Sequence, residues 1–586
     1  MTVYHSDEGS GKKERTDRIE KADVKIEKKD IKEKKKEHEL VSDKVVDKKR
    51  SEKIKGLKEK IRKRLRKKER KDSNRTIYSP IKNSFSALNK IETQKINNFF
   101  SNIIIRILLS LLLAALGALF LTLSFAPYGL WPLVFFAFVP LLTAVHRVAP
   151  RRMAGLVMAL GIGCFFRLFF NDFFTDADFF LANYFYIAVA MFFFLIGGLQ
   201  RGFHSRSNYR WFVLEGVALW TGFEMVRGFI PGLGTTGFLA TALYKQFWFI
   251  QPVSMLSIYG LTLLIIFINY VLTYKVISFI DSKKFFRGEG EPVAGTAAKR
   301  WVYLAAAVLI GWFAFSLSLL QSPLPAVRVS AVQPGHYVHE TVFSGETRKM
   351  FRRAIEFQED FDELLSISKR AARENARLIV WNEATLPFNP HFRGTDELQD
   401  FVKDTGMYLV LGYSVPEDNS EGVTILSPDG VFLGKSYQTL IGSIGTAVSD
   451  DIDRTLNFRN ISAQGTRIVA LSTFHTSKQG PRRLPNVVFR AVENHLSVVN
   501  ADGHYASAII DPYGRLIQYT SSESSTRRIL VADIPAGSGN TLVVMWGDWL
   551  GWLSLGGMAF FLIIMTISHM RARKKKVLKD KDLQNN

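Results

Sequence analysis

Long apolar segments recur along this chain, and they constrain its fold more than any other feature. Eight of them approach the length that a helix needs to cross a bilayer, seven before residue 325 and one near the end of the sequence. They cover residues 103–125, 130–145, 153–170, 184–199, 211–226, 255–274, 301–320 and 550–568. The chain is therefore predicted to contain a multi-pass α-helical membrane domain with about eight spans.

Basic residues are concentrated in every second loop between these segments. The basic loops are "HRVAPRR", "QRGFHSRSNYR" and "KVISFIDSKKFFRG", and "RARKKK" follows the last segment, whereas the intervening loops carry few positive charges. Because basic loops remain on the cytoplasmic side of a membrane, this alternation predicts that both termini are cytoplasmic. It places residues 325–542 on the outer side, which is the periplasm for a bacterial inner membrane.

The first 100 residues differ from the rest in composition. They carry 32 Lys and Arg against 18 Asp and Glu, which supplies +14 of the chain's net charge of +23. Such a segment cannot bury a core, so residues 1–100 are predicted to form a basic, largely disordered cytoplasmic tail. The apolar runs that follow favour a membrane protein over a nucleic-acid binder. The basic cluster at residues 60–71 leaves open a contact with anionic headgroups.

Residues 325–542 have the pattern of an α/β domain. "AVRVSAVQP", "MYLVLGYSV" and "RRILVADI" indicate strands, whereas residues 348–375 and 485–494 indicate helices. Strands that alternate with helices predict layers packed on one core. The predicted organisation is a tail over 1–100, a seven-span domain over 101–322, the α/β domain over 325–542, a last transmembrane helix over 545–570 and a basic cytoplasmic tail over 571–586.

The stretch "RLIVWNEATLPF" at residues 377–388 brings a carboxylate to the end of one predicted strand. Leu378 to Trp381 form a short apolar run, and Glu383 follows it closely. A carboxylate at a buried strand end is costly unless it is paired or used in chemistry. Glu383 is therefore a candidate catalytic acid or base, or the remnant of one.

Several stretches resemble a known family in the order in which they occur. "FAPYGLWPLVFFAFVPLL", "EMVRGFIPGLGTTGFLATALYKQ", "LIVWNEATLP" and "FRAVENHLSVVNADGHYASAIIDPYGRLI" resemble segments of the apolipoprotein N-acyltransferases. These are the integral-membrane members of the nitrilase (carbon–nitrogen hydrolase) superfamily. The resemblance covers roughly residues 100–570. It implies an extracytoplasmic α-β-β-α sandwich inserted before the last span, and a cavity open to lipid where sandwich and membrane meet.

The resemblance also implies a chemistry, which is acyl transfer through a Glu–Lys–Cys triad. A cysteine thiolate takes an acyl chain from a phospholipid, and the amine of a diacylglyceryl-cysteine lipoprotein then accepts it; the glutamate moves the protons and the lysine stabilises the oxyanion. Glu383 matches the glutamate. Alignment of the hairpin on Asp429 and Leu440 places Gln438 or a neighbour at the lysine position. Lys435 lies three residues earlier and would face the opposite side of a straight strand, so it is a candidate catalytic lysine only if a bulge re-aims it, and an exposed strand lysine otherwise.

The cysteine of that triad has no counterpart in the expected place. The chain has one cysteine, Cys164, inside the apolar segment at 153–170, where a buried thiol that only packs is predicted. Residues 441–471, where the nucleophile is expected, contain no cysteine and look shortened. Ser443, Thr446 and Ser449 are hydroxyl candidates, but their sequence neighbours do not indicate a nucleophile coupled to a base.

Two functional hypotheses follow, with a third behind them. The first is an apolipoprotein N-acyltransferase homologue that transfers acyl chains from phospholipid to lipoprotein. The second, favoured by the missing thiol, is an inactive homologue that binds phospholipid or lipoprotein or regulates a partner. The third is a relic hydrolase with a hydroxyl nucleophile. The implied partners are phospholipid, lipoprotein and the membrane itself. We expect no cofactor, no metal and no nucleic-acid partner, and a monomer.

Other polar residues receive structural predictions. His475 and His504 are expected to be isolated, and Glu493 is expected to orient its own helix or a neighbouring loop rather than to perform chemistry. Glu224 and Arg227 lie nearly one helical turn apart. A local pair and a headgroup contact are both open for them.

Overall fold

The computed structural model describes most of the chain from residue 102 to residue 585. The residues that it leaves out within this range are 172, 174–178, 284–292, 294, 321–325, 334–348, 384, 387, 392–394, 416–419, 476–478, 504 and 521–527. The predictions for the tail at 1–100 and for His504 lie outside the described residues.

Apolar helices dominate the first half of the described chain. The helices before the sandwich are α1 (Ile103–Ser124), α2 (Phe138–Thr143), α3 (Ala154–Phe169), α4 (Phe179–Arg206), α5 (Phe212–Arg227), α6 (Phe247–Ile250), α7 (Val253–Lys283) and α8 (Gly295–Ser318). Short 3₁₀ and π turns at Trp131–Phe135 and Ala144–Val148 extend α2 into a membrane-length segment. Together with the last helix, seven segments of the described chain are long and apolar enough to cross a membrane.

The fifth predicted span differs from the others. It forms α5, a helix of 16 residues, which is shorter than the roughly 20 residues that a spanning helix needs. It also buries three charged side chains, Glu215, Glu224 and Arg227. Seven spans are therefore supported by length and hydropathy, and a total of eight stays a prediction.

Two six-stranded sheets follow the membrane helices. The first has the order β12-β1-β2-β3-β4-β5 and the second the order β11-β10-β9-β8-β7-β6. The strands are β1 (Ala326–Gln333), β2 (Leu378–Trp381), β3 (Tyr408–Val415), β4 (Ser420–Leu426), β5 (Phe432–Leu433), β6 (Ser436–Thr439), β7 (Gly442–Val448), β8 (Ile468–Thr473), β9 (Ser497–Asp502), β10 (Ala508–Ile510), β11 (Leu516–Tyr519) and β12 (Arg528–Pro535). In each sheet the three central strands are parallel, namely β1-β2-β3 and β7-β8-β9.

Helices lie against the outer faces of the two sheets. They are α9 (Lys349–Arg373), α10 (Asp396–Thr405), α11 (Thr455–Ala463) and α12 (Gly480–Asn494). One apolar core packs α9 and α10 on the first sheet, a second fills the space between the sheets, and a third joins α12 to the membrane helices. All four residues of β2 are buried because both faces of its sheet are covered. The predicted α-β-β-α sandwich beside a multi-pass set of apolar helices is confirmed.

The chain returns to the membrane through two last helices. They are α13 (Leu542–Trp546) and α14 (Trp549–Asn585). Helix α14 continues well past residue 570, where the last span was predicted to end, so the basic residues beyond that point extend the helix.

Candidate functional site

Glu383 lies where the sequence placed it, just beyond the buried strand β2. Its side chain is half-buried, whereas Asn382 beside it is buried. The Asn382 side-chain amide donates to the Glu383 carbonyl at 2.8 Å, and the Thr385 hydroxyl donates to the Asn382 carbonyl at 2.6 Å. These local hydrogen bonds fix the turn after β2 and so hold the carboxylate at the strand end.

Ser449 meets this carboxylate from the other sheet. It is the first residue after β7 and opens the 3₁₀ turn Ser449–Asp453. Its hydroxyl donates to Glu383 Oε2, and its Oγ accepts a hydrogen bond from the Phe474 backbone N–H at 3.0 Å. The sequence neighbours of Ser449 did not indicate this pairing, because the carboxylate follows a strand of the other sheet, 66 positions away in sequence.

Lys435 lies at the same end of the second sheet as Ser449. It precedes β6, and its carbonyl accepts hydrogen bonds from the Thr446 N–H at 2.8 Å and hydroxyl at 3.1 Å. Because β6 runs antiparallel to β7, this pairing puts Lys435 near the end of β7 that leads to Ser449. Gln438 pairs instead with Ser443, near the other end of β7. The alignment that favoured Gln438 therefore points away from the strand end that carries Ser449.

Acidic side chains follow Ser449 in the 3₁₀ turn. Burial raises the pKa of the Asp451 carboxyl, while the hydrogen bond from the Val448 N–H and the charge of Lys435 oppose that shift. Lys435 is exposed, yet it lies close enough for its charge to act on this turn. The strand end thus combines a carboxylate, a hydroxyl and a nearby ammonium group.

Cys164 belongs to a different part of the fold. It lies on α3, a membrane helix, as the sequence predicted, but its side chain is exposed on the helix surface. The prediction that it is buried and packs inside the protein was wrong. A helical segment can present a residue to the protein or to lipid, and apolar composition alone does not distinguish the two faces.

His475 belongs to a buried polar network behind the strand ends. Its Nδ1 lies 2.7 Å from Asp502 Oδ2, and its Nε2 lies 3.3 Å from Arg483 Nη1. Burial lowers the pKa of His475, against the opposing effect of Asp502, so the ring is neutral near pH 7. A neutral ring donates from Nδ1 to Asp502 and accepts from Arg483 at Nε2. The prediction that His475 is isolated was wrong.

The 3₁₀ turn also contacts the membrane domain. The Asp453 carbonyl accepts a hydrogen bond from the Thr235 N–H at 3.0 Å, and its carboxylate lies 3.4 Å from Arg483. Gly234 has a positive φ, and a Cβ there would lie 2.1 Å from the Asp453 carbonyl oxygen. The glycine-rich loop after α5 is therefore shaped to receive the turn that begins at Ser449.

A second buried polar cluster, here called the junction cluster, joins α12 to α7 and α14. Arg490 and Glu493 form an ion pair at 2.7 Å, and both are fully buried. Helical backbone geometry is broken at Ser257, and Glu493 accepts a hydrogen bond from the Ile258 N–H that follows, at 2.8 Å. Ser257 also donates to Asp548 at 2.6 Å. Glu493 thus caps a membrane helix from the sandwich, which fits the predicted orienting role.

Glu224 and Arg227 are both buried inside the membrane domain. Glu224 accepts hydrogen bonds from the Thr262 hydroxyl at 2.7 Å and the Leu239 N–H at 2.9 Å. Arg227 donates to the Thr236 carbonyl at 2.6 Å and is 2% exposed. The hypothesis of a headgroup contact was therefore wrong for Arg227, because its guanidinium is covered by protein.

An open cavity of about 500 Å³ lies where α1 and α3 end beside α12. Its lining includes Arg167, Arg482, Tyr128 and Leu168. Neither arginine belongs to a sequence motif that predicts a shared site, because one lies in a membrane helix and the other in the sandwich. Within the described residues, no group of three or more His, Cys, Asp and Glu side chains is arranged to hold a metal ion.

Comparisons with known proteins agree with the resemblance seen in the sequence. The family model of the apolipoprotein N-acyltransferase N-terminal domain matches residues 117–271. Apolipoprotein N-acyltransferase of Geobacter metallireducens is 23% identical over 524 residues, which cover 76% of this chain and 94% of that protein. The enzyme of the same name from Gloeobacter violaceus is 31% identical over 121 residues, which cover 20% of this chain and 23% of that one.

Solved structures of nitrilase-superfamily proteins were also matched. An amidase from Nesterenkonia sp. matches with 16% identity and a TM-score of 0.28, over 38% of this chain and 92% of its own. Nit3 of Saccharomyces cerevisiae matches with 15% identity and a TM-score of 0.28, over 36% and 92%. The family model over residues 117–271 and the similarity along most of the Geobacter relative both support a relationship of this chain to the apolipoprotein N-acyltransferases.

Proposed function

We propose that this protein is an apolipoprotein N-acyltransferase homologue that binds phospholipid and lipoprotein but does not transfer acyl chains. One observation carries the proposal. The side chain that meets the predicted base, Glu383, is the hydroxyl of Ser449 and not a thiol. The chain's one thiol, Cys164, lies on the surface of a membrane helix.

The chemistry of a hydroxyl at this position supports the proposal. A thiol has a pKa near 8.5, so a carboxylate with a nearby cation can generate useful thiolate. An alcohol is a much weaker acid and needs a stronger base such as histidine. The Oγ of Ser449 also accepts a hydrogen bond from the Phe474 N–H. This hydrogen bond engages a lone pair that an attack on an ester would use. Loss of a nucleophile that works together with its base removes most of the rate enhancement.

The cavity at the ends of α1 and α3 supports the binding part of the proposal. Two guanidinium groups, those of Arg167 and Arg482, line it, and guanidinium binds phosphate well. Leu168 beside them is 54% exposed, which provides an apolar surface for an acyl chain. A phospholipid headgroup fits this combination of charge and apolar surface.

The membrane placement is part of the same proposal. The family and the apolar helices indicate a bacterial membrane protein. We place it in the inner membrane, with both termini in the cytoplasm and the sandwich in the periplasm, because of the alternation of basic loops. Eight spans, including the short α5, are needed for that arrangement.

A second candidate function is slow acyl transfer through Ser449. It is favoured by the hydrogen bond from Ser449 to Glu383 and by the position of Lys435 at the same strand end. In this mechanism Glu383 would take the hydroxyl proton as Ser449 Oγ attacks the phospholipid ester; the acyl–oxygen bond of that ester would break, and the lysophospholipid would leave with the proton. The oxygen ester on Ser449 would then pass its acyl chain to the lipoprotein amine, which returns a proton to the Ser449 oxygen.

The test restores the missing thiol. Ser449→Cys in a Cys164→Ala background places the chain's one thiol against Glu383. Ser443→Cys in the same background is the matched control, because Ser443 lies on β7, the strand that leads to Ser449. We expect Ser449→Cys to become acylated from phospholipid and to gain transfer to a diacylated lipopeptide, while the control gains neither. If neither variant becomes acylated although both retain phospholipid, the idea of a binding site that lacks only its nucleophile is wrong.

A further inference from the structure

A basic cavity lies between α4 and α14, at the end of the membrane helices remote from the sandwich. It has a volume of about 520 Å³ and is lined by Arg206, Ile564, Ile567, Ser568, Arg571, Ala572 and Lys575. Helix α14 begins at Trp549, directly after the sandwich, and Ser568 lies about 29 Å further along it. That distance is close to the thickness of a bilayer's hydrocarbon core, so the cavity lies at the opposite membrane surface.

The cavity has three cations and no carboxylate in its lining. Arg206 Nε donates to Ser568 Oγ at 2.9 Å, which joins α4 to α14 and holds the guanidinium at the cavity. Gly202 makes room for this side chain, because a Cβ there would lie 3.1 Å from Arg206 Nη1. In the part of the chain that the structure describes, no Asp or Glu forms an ion pair with Arg206, Arg571 or Lys575.

The surroundings add positive charge and an apolar surface. Arg151 Nη2 donates to Ser205 Oγ at 3.3 Å, which brings a fourth cation next to Arg206. Ile564 and Ile567 line the cavity on the side of the apolar part of α14, and Ile567 is 37% exposed. An occupant therefore meets cations at the membrane surface and apolar side chains towards the bilayer.

We infer that this cavity binds the phosphodiester headgroup of an anionic phospholipid in the leaflet remote from the sandwich. Guanidinium and ammonium groups without carboxylate partners attract a phosphodiester, and arginine matches its oxygens in pairs. Basic pockets between membrane helices at a membrane surface are suited to such headgroups. The isoleucines contact the acyl chain, which a free phosphate lacks. This site is separate from the strand ends that carry Glu383 and Ser449.

The experiment uses the full chain purified in a neutral detergent at low ionic strength. The thermal unfolding midpoint is followed while phosphatidylglycerol, phosphatidylcholine or inorganic phosphate is added. The test variant is Arg206→Gln/Arg571→Gln/Lys575→Gln. The matched control, Arg573→Gln/Lys574→Gln/Lys576→Gln, removes three exposed cations of the same helix that do not line the cavity. The basic residues of the first 100 positions are present in both, so they cancel in the comparison.

We expect phosphatidylglycerol to raise the midpoint of the wild-type protein and of the control with affinities within about twofold of each other. The test variant is expected to bind about 100-fold more weakly, which is about fivefold for each cation. Without lipid the control should unfold at the wild-type midpoint and the test variant within a few degrees of it, because the changed residues are exposed and the loss of the Arg206–Ser568 hydrogen bond costs about 1 kcal/mol or less. An equal loss in test and control variants would show general surface attraction and overturn the inference. So would wild-type affinity in the test variant, or an equal response to inorganic phosphate or to phosphatidylcholine.

Discussion

The junction cluster and the strand-end site are both polar, but the carboxylates in them have different partners. In the junction cluster, Glu493 has the full charge of Arg490 at 2.7 Å and the capping N–H of Ile258. At the strand end, Glu383 is half-buried and accepts a hydrogen bond from the neutral hydroxyl of Ser449. The first arrangement is what a buried carboxylate needs for stability. The second has the geometry expected of a base beside a nucleophile. Ser449 lies in the nucleophile's position, and its hydroxyl is poorly suited to that role.

The two carboxylates therefore have different roles, one in stability and one in the site. Glu493 joins the sandwich to the membrane helices, so its removal should affect the whole structure. Glu383 is half-buried and accepts the neutral hydroxyl of Ser449 from the other sheet, so its removal should affect the site much more than stability. The predictions below test this division, beginning with the largest expected effect.

Glu493→Ala is expected to lower the free energy of unfolding by about 3–5 kcal/mol, because it leaves the buried guanidinium of Arg490 without its partner. Glu397→Ala, which removes an exposed glutamate from α10, is the control. Thermal or chemical unfolding in detergent measures both. If the two variants lose equal stability, the junction cluster does not hold the domains together.

Asp453 is expected to make stability depend on pH. Burial raises the pKa of its carboxyl to about 6 from the ordinary 3.8, although Arg483 opposes the shift. Because the folded pKa is the higher one, the folded state binds the proton more tightly. This stabilisation is complete below about pH 4 and is lost as the pH rises through about 6.

The measurement is the difference in unfolding free energy between the wild-type protein and Asp453→Asn across that range. It should change by about 3 kcal/mol between pH 4 and pH 7, with the wild type relatively less stable at the higher pH. Because Asp453→Asn retains all other titrating groups, their contributions cancel in this difference. A difference that stays constant would mean that the carboxyl is not desolvated by the turn and the glycine-rich loop.

Glu383→Gln is expected to cost about 1 kcal/mol or less in stability, since it weakens the hydrogen bond with Ser449 at a half-buried site. Ser449→Ala removes that bond and the one from the Phe474 N–H, so about 1–2 kcal/mol should be lost. A double-mutant cycle should give a coupling free energy of roughly 0.5–1 kcal/mol, because the two residues share that bond. Losses as large as that of Glu493→Ala would show that the strand-end pair is structural, and the contrast with the junction cluster would then disappear.

Cys164→Ala is expected to change the free energy of unfolding by less than about 0.5 kcal/mol, because the thiol lies on the helix surface. Ile162→Ala is the matched control from the same helix, where a fully buried side chain is removed and about 2–5 kcal/mol should be lost. If Cys164→Ala lowers the free energy of unfolding nearly as much as Ile162→Ala, the thiol is packed against other side chains and is not on the surface.

The membrane helices and the strands could largely be predicted from sequence, because apolar runs and alternation are local signals. The fifth span shows the limit of that reasoning, since α5 is short and its charges are satisfied by residues distant in sequence such as Thr262 and Leu239. The exposed face of Cys164 was also missed, because composition does not give the rotation of a helix.

The strand-end site could be predicted only in part. The position of Glu383 followed from β2 alone, whereas its partner Ser449 required the packing of one sheet on the other. From sequence, Lys435 and Gln438 could be compared only by their positions along one strand, without its partner strand. The antiparallel pairing of β6 with β7 shows which of the two lies towards Ser449. His475 looked isolated for the same reason, because Asp502 and Arg483 belong to other elements.

The most direct measurement is acyl transfer by the purified wild-type protein from labelled phospholipid to a diacylated lipopeptide, followed by mass spectrometry of the peptide's N-terminus. If the site has kept its base but lost its nucleophile, the protein will yield no triacylated peptide above the rate without protein, and Ser449→Ala will behave identically. Triacylated product that depends on the wild-type protein and disappears in Ser449→Ala would contradict this account and identify Ser449 as the nucleophile.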